Sequence, residues 1–141
     1  MSTQFELHER LAQDTIRIGT LPLCELLLMN DAQYPWAILV PRLANLTELH
    51  QVPESDQRQL LAEINTVSHG LEHLYQPHKI NVATLGNQVA QLHIHVIARF
   101  KQDAAWPNPV WGVRPTVAYT TEQLDDTCAR WRTALNSGLE S

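Results

Sequence analysis

The stretch that decides the fold is Gln88-Val-Ala-Gln-Leu-His-Ile-His-Val-Ile-Ala-Arg-Phe100. In a β-strand, successive side chains point to opposite faces of the sheet. One face of this strand would carry Leu92, Ile94 and Val96. The other face would carry Gln91, His93 and His95. The pattern therefore predicts a strand that buries an apolar face and presents two imidazoles and an amide on the opposite surface.

Paired histidines on one strand face fit three kinds of site. The first is a reactive centre, because imidazole is the side chain whose unperturbed pKa lies near neutrality. A solvated polar face is the second, and the chain has seven histidines in all, at positions 8, 50, 69, 73, 78, 93 and 95. A metal pair is the third, but no nearby Asp, Glu or Cys repeats the spacing to supply a third ligand. We therefore expect no metal site.

The residues around this strand resemble the histidine triad (HIT) family. Gln91-Leu-His-Ile-His-Val-Ile97 is similar to the family signature, His-x-His-x-His-x-x with apolar x, with Gln in place of the first His. Asn81-Val-Ala-Thr-Leu-Gly-Asn-Gln-Val89 resembles the segment that leads into the triad strand. Leu27-Leu-Met-Asn-Asp31 and Trp36-Ala-Ile-Leu-Val-Pro-Arg42 resemble the nucleotide-binding strand pair. The resemblance covers about residues 20–100.

The resemblance implies a catalytic group and a way of using it. His93 matches the nucleophile, which attacks an α-phosphate and forms a nucleotidyl-histidine that water then hydrolyses. His95 matches the third triad position, which contacts the phosphate and assists charge development or protonation of the leaving group. Gln91 matches the first position, where an amide can form hydrogen bonds but cannot titrate. No cofactor or metal is required for the attack.

The substrate contacts implied by the resemblance lie on two loops. Gly86 permits close approach of the main chain to a ligand, and the amides of Asn87 and Gln88 can bind phosphate oxygens; an ordinary β-turn is the alternative for this loop. Asn81 would support the same phosphate. Asp31 matches an acidic position that holds ribose hydroxyls and Asn30 lies beside it, although an Asn-Asp pair at a strand end is also common turn chemistry.

Two functions remain open from the sequence. The first is a nucleotide hydrolase that resembles diadenosine-polyphosphate hydrolases or acts on a related phosphoanhydride or phosphoramidate. The second is a catalytically weak nucleotide-binding module, because Gln91 replaces a histidine. A metal-dependent site on His93 and His95 is a minor third possibility. Trp106 and Trp111 either stack on a base or attach the C-terminal segment to the sheet, and the second role is favoured.

Composition narrows the class of protein. The chain has 141 residues, which suits one domain spanning residues 1–141. Its net charge is −5, which argues against sequence-independent binding of nucleic acid. No apolar run is long enough to span a membrane, and the N-terminus shows no signal peptide. Cys24 and Cys128 fit no metal or redox spacing, so we expect free thiols and a cytoplasmic protein.

Hydrophobic periodicity predicts an α+β domain built on a five-stranded antiparallel sheet, with one long helix and terminal helices. The predicted helices cover residues 5–13, about 54–75 and about 121–135. The second helix would carry an apolar stripe at three- and four-residue steps, made of Leu60, Leu61, Ile64, Val67, Leu71, Leu74 and Tyr75. The third would carry a stripe made of Leu124, Cys128, Trp131 and Leu135. The predicted strands cover residues 14–19, 23–29, 36–40, 79–85 and 91–99. Residues 103–112 contain two prolines and tryptophans at both 106 and 111, so they are expected to lack regular structure. The architecture agrees with the HIT fold, whose members usually form homodimers.

Overall fold

The sheet has five strands, all antiparallel, in the computed structural model, which describes residues 4–136. The strands are β1 (Thr15–Thr20), β2 (Cys24–Met29), β3 (Trp36–Pro41), β4 (Lys79–Ala83) and β5 (Ile94–Arg99). The helices are α1 (Glu9–Asp14), α2 (Glu54–Tyr75) and α3 (Thr121–Ala134), with a short 3-10 turn at Leu49–Gln51. The strand order is β1-β2-β3-β5-β4. The predicted α+β architecture is confirmed.

Element boundaries differ from the prediction mainly around β5. The strand begins at Ile94, three residues later than expected, and β4 ends at Ala83. Residues 91–93 lie outside the ladder, and their main chain bonds elsewhere: the Leu92 N–H donates to the Leu46 carbonyl at 2.9 Å, and the Gln91 carbonyl contacts His93 Nδ1. At the N-terminus, α1 begins at Glu9 and not at Phe5, because His8 caps it by accepting from the main-chain N–H of Arg10 at 3.0 Å.

One face of the sheet packs on α2 and α3. The stripe predicted along α3 lies in this core: Cys128, Trp131 and Leu135 are buried and Leu124 packs against them. Along α2, Leu60, Val67 and Leu71 are buried, whereas Leu61, also placed in the predicted stripe, is 59% exposed. A helix stripe only about 100° wide can face the core, and Leu61 falls outside it.

The opposite face of the sheet, on which the alternation of residues 91–95 placed two imidazoles and an amide, is also covered. Leu11 of α1, Phe5 and Leu7 pack on it from the N-terminal side. Ala105, Val110 and Trp111 cover it from the segment at residues 101–119, which has no helix or strand. As a result β2, β3 and β5 are buried on both faces, which explains the continuous apolar run of residues 26–29.

A buried ion pair attaches the segment at residues 101–119 to β5. Arg99 is 1% exposed, and its guanidinium donates to the Asp103 carboxylate at 2.8 and 3.0 Å. It also donates to Asn81 Oδ1 at 2.8 Å and to the Asn108 carbonyl at 2.7 Å. Burial alone would raise the pKa of Asp103, but hydrogen bonds from Arg99 and from main-chain N–H groups such as that of Phe100 lower it to about 2.

Glu63 connects α2 to the start of β2. Its carboxylate is 2% exposed and accepts the main-chain N–H groups of Leu23 at 2.8 Å and Cys24 at 2.9 Å. Gln59 donates to the same carboxylate at 2.6 Å. These bonds satisfy two buried main-chain donors that lie just before and at the first residue of the strand.

We expect Glu63→Gln to lower the free energy of unfolding by about 2 kcal/mol, because hydrogen bonds to a charged acceptor contribute about 1.5–3 kcal/mol and an amide has only one oxygen. Urea unfolding followed by circular dichroism measures the change. Glu72→Gln on the exposed side of the same helix is the control and should leave stability nearly unchanged. Equal midpoints for the two variants would show that the carboxylate does not hold the strand.

Candidate active site

His93 and His95 lie together at the start of β5, on the face covered by the two terminal segments. They are 6% and 5% exposed, and their ring centroids are 4.8 Å apart. The predicted alternation is correct, since Leu92, Ile94 and Val96 belong to the core on the opposite face. The two imidazoles are thus neighbours on one face, and both are largely removed from water.

A hydrogen bond at Nδ1 sets the orientation of His93. Its Nδ1 lies 2.7 Å from the main-chain oxygen of Gln91. A carbonyl oxygen only accepts, so Nδ1 carries the proton and the lone pair of the neutral ring lies on Nε2. Burial lowers the pKa of His93, and the charge of His8 lowers it further, against the effect of the Gln91 carbonyl. His93 is therefore neutral at pH 7.

His95 makes the converse contact. The indole N–H of Trp36 donates to His95 Nδ1 at 3.0 Å. Rings surround the imidazole, with centroid distances of 5.6 Å to Trp36 and 4.9 Å to Trp111. Burial, together with the charge of His93, lowers the pKa of His95 to about 3. Two neighbouring imidazoles thus use the same ring nitrogen in opposite ways, one as donor and one as acceptor.

Both histidines line a cleft of about 330 Å³, which is a usual size for a small-molecule site. On one side lies the loop at residues 85–89, which contains the predicted Gly86, Asn87 and Gln88. The other walls are formed by Arg10, Leu11, Asp14, Thr15, Met29, Ile38 and Trp111. Gly86 has φ +76°, a conformation that favours glycine, as the loop turns toward the histidines. Five of the predicted site residues therefore meet here.

Gln91, predicted as a catalytic residue, places its side chain outside the cleft. Its Oε1 accepts the main-chain N–H of His8 at 2.8 Å, and its Nε2 donates to the carbonyl of Glu6 at 2.8 Å. The amide thus binds the N-terminal segment that leads into α1, which supplies Arg10 and Leu11 to the cleft wall. Toward His93 it is the main chain of Gln91 that acts, through its carbonyl.

Three predicted substrate-binding side chains also have other partners. Asn81 accepts from the buried Arg99 guanidinium. Asn30 accepts the main-chain N–H of Tyr119 at 2.9 Å. Asp31 is 4% exposed and accepts the main-chain N–H and the side-chain amide of Gln33, both at 3.1 Å. None of the three lines the cleft in this structure. Their oxygens accept structural hydrogen bonds from other parts of the protein. A sequence pattern alone does not distinguish this role from ligand binding.

The cleft also contains residues that the sequence reasoning missed. Arg10 and Asp14 lie across from the loop and form an ion pair at 3.6 Å on the surface of α1. No motif marks them, because they reach the cleft only through the docking of α1. Trp36 is a core residue of β3, 4% exposed, but it also bonds a site residue. Trp111 both packs on the sheet and lines the cleft, so the two alternatives for it are not exclusive.

Trp106 lies away from the cleft. Its ring packs near the Arg99 guanidinium at 5.6 Å and against His78 at 5.2 Å. This is the attachment role that the sequence favoured.

Across residues 4–136, no group of three or more His, Cys, Asp or Glu side chains could hold a metal ion. Within the same residues, no helix is long and apolar enough to cross a membrane.

We expect Gln91→Ala to release the N-terminal segment. The variant loses two hydrogen bonds worth about 0.5–1.5 kcal/mol each, so the His8 amide should exchange about ten-fold faster with solvent deuterium. Hydrogen exchange followed by NMR measures this, with Gln102→Ala in an exposed loop as the control. Unchanged protection of His8 in the Gln91 variant would contradict the role of the amide.

The comparisons with known proteins agree with this geometry. The HIT domain matches residues 10–102. A histidine triad protein from Marinobacter aquaeolei VT8 is 47% identical, with a TM-score of 0.92 and coverage of 95% of this chain and 98% of that one. Those from Sinorhizobium meliloti 1021 and Bradyrhizobium japonicum are 45% and 44% identical, both with a TM-score of 0.90 and 93% of this chain covered, over 97% and 98% of their own lengths. No curated protein matches. The chain belongs to the histidine triad family.

Proposed function

We propose that this chain is a nucleotide hydrolase in which His93 attacks an α-phosphate. The observation that carries the proposal is the hydrogen bond from His93 Nδ1 to the Gln91 carbonyl, in a ring that lines the cleft. It leaves the Nε2 lone pair as the nucleophile, and the lowered pKa keeps the ring unprotonated at pH 7. An unprotonated, oriented imidazole needs no separate base to activate it.

The reaction would proceed in two displacements. In the first, a bond forms between His93 Nε2 and phosphorus while the bond to the leaving group breaks, and its electron pair departs with the leaving group. The nucleotidyl imidazole carries a positive charge that the Gln91 carbonyl stabilises through Nδ1–H. In the second, water attacks phosphorus, the electron pair of the N–P bond returns to Nε2, and a proton of the water passes to solvent. A nucleoside monophosphate is released.

Binding of the substrate would divide between two sides of the cleft. The amides of Asn87 and Gln88, with the main chain at Gly86, are suited to phosphate oxygens, because several preorganised donors converge there. Met29 and Ile38 supply an apolar wall for the nucleoside. The substrate class expected from the sequence, a phosphoanhydride or a phosphoramidate of a nucleoside, fits both sides.

Four further features belong to this proposal. We place Gln91 at the first triad position of the family, so that this position holds the N-terminal segment and does not titrate. We propose a homodimer, since β4 is an edge strand and its Val82 is 50% exposed. A cytoplasmic location and independence from metal and cofactors also remain proposals. Light scattering and elemental analysis of the purified protein test the dimer and the metal.

The alternative function is a nucleotide-binding module without useful catalysis. The observation in its favour is that the Gln91 side chain faces away from the cleft and bonds the N-terminal segment. Of the three triad positions, only those of the two imidazoles therefore contribute a side chain to the cleft. Calorimetry separates the two functions. Tight binding of AMP with no turnover of any phosphoanhydride or phosphoramidate would favour the module.

We expect His93→Gln to reduce kcat for diadenosine tetraphosphate by at least about 10³-fold, because the nucleophile is lost while the fold is kept. Steady-state release of AMP measures the effect. His73→Gln, on the exposed side of α2, is the matched control and should retain full activity. Undiminished turnover by the folded His93 variant would overturn the proposed function.

The pH profile gives a second test. We expect kcat/KM to rise with pH through the pKa of His93, below its ordinary value of 6.5, and to be flat from there to about pH 8. The sign follows because only the unprotonated ring attacks phosphorus. The groups that face His93 are His8, His95 and, across the cleft, Arg10 and Asp14. An acidic limb with a midpoint clearly above 6.5 would contradict the assignment.

A further inference from the structure

Trp36 and His95 form a hydrogen bond in the interior of the protein. Trp36 begins β3 and lies opposite Ile97 of β5 in the ladder, while His95 lies opposite Ile38. The two side chains are therefore diagonal neighbours on the same face of the sheet. Both are at least 95% buried, and the indole Nε1–H donates to His95 Nδ1 at 3.0 Å.

This bond determines where the proton of His95 lies. The indole nitrogen can only donate, so Nδ1 of His95 must present a lone pair. The proton of the neutral ring is then on Nε2. A second proton would have to enter at Nδ1, which requires that the bond to Trp36 be broken. Burial acts in the same direction, because it disfavours the imidazolium.

Ring contacts also hold the imidazole in place. Trp111 and His93 pack against it with centroid distances of 4.9 and 4.8 Å, at interplanar angles of 78° and 70°. A 180° flip of the ring about its Cβ–Cγ bond would lose the Trp36 bond, because it places the Cδ2–H group where Nδ1 now accepts from the indole. Because the ring lines the cleft, Nε2–H is the group left for a ligand.

We propose that Trp36 is a positioning residue that holds His95 as a neutral Nε2–H donor, so that His95 stabilises the reacting phosphoryl group but does not protonate the leaving group. This inference rests on the proposed function and gives it a leaving-group preference. During attack by His93 Nε2, the His95 N–H donates to a non-bridging phosphoryl oxygen and keeps its proton. The electron pair of the breaking bond stays on the leaving group.

The nature of the leaving group then decides the rate. In a phosphoanhydride, the bridging oxygen departs as part of a phosphate anion, which is stable without a proton. In a phosphoramidate, the nitrogen must gain a proton to depart as an amine, and His95 does not supply it. General acid catalysis contributes about 10²–10⁴-fold. The wild-type protein should therefore prefer the phosphoanhydride by at least about 100-fold in kcat/KM.

The test compares wild type, Trp36→Phe and Trp106→Phe on diadenosine tetraphosphate and adenosine 5′-phosphoramidate between pH 5 and 8. Trp36→Phe frees Nδ1 of His95, which can then be protonated. The preference for the phosphoanhydride should fall about ten-fold at pH 5–6, with little change at pH 8. Trp106→Phe is the matched control, remote from the cleft, and should keep the wild-type ratio.

Two kinetic outcomes would overturn the inference. One is wild-type cleavage of the phosphoramidate as fast as the phosphoanhydride, and the other is a ratio that Trp36→Phe does not change. NMR of ¹⁵N-labelled wild-type protein decides the matter independently of turnover or of folding of the variant. The inference requires the His95 proton on Nε2 throughout pH 5–8; a proton on Nδ1, or titration in that range, excludes it. Absence of His93-dependent turnover on both substrates would instead count against the proposed function.

Discussion

Burial of β5 on both faces is the constraint on which the site depends. One face packs on the core beneath α2 and α3, and the other is covered by the N-terminal segment and by residues 101–119. Imidazoles at positions 93 and 95 are consequently shielded from water, which disfavours their charged forms. Without the covering segments the same strand would present two solvated histidines with ordinary acid–base behaviour.

In that dry environment, hydrogen bonds at Nδ1 differentiate two chemically identical rings. The Gln91 carbonyl requires a proton on Nδ1 of His93, and the Trp36 indole requires a lone pair on Nδ1 of His95. The rings are 4.8 Å apart, yet one exposes a lone pair at Nε2 and the other an N–H. In the proposed mechanism, a nucleophile and a donor therefore act on one phosphoryl group without transferring a proton between them, and the donor is preorganised before the substrate binds.

The sequence predicted the sheet, the helices and the loop at Gly86 well, because periodicity and turn chemistry are local. It also located His93 and His95 through the alternation of residues 91–96. It did not predict that Gln91 and Asn30 would bond the covering segments, Asp31 the neighbouring Gln33, and Asn81 the buried Arg99. A polar side chain near a motif can serve a ligand or a structural contact equally well. Arg10 and Asp14 were missed for the related reason that only tertiary docking of α1 brings them to the cleft.

Intact-protein and peptide mass spectrometry after rapid quenching with diadenosine tetraphosphate, without acid, tests the division of roles most directly. A nucleotidyl group found on His93 and absent from His95 is the predicted result, because only His93 presents a lone pair at Nε2. An adduct on His95, or turnover with no adduct on either histidine under conditions that preserve a phosphoramidate bond, would contradict the account.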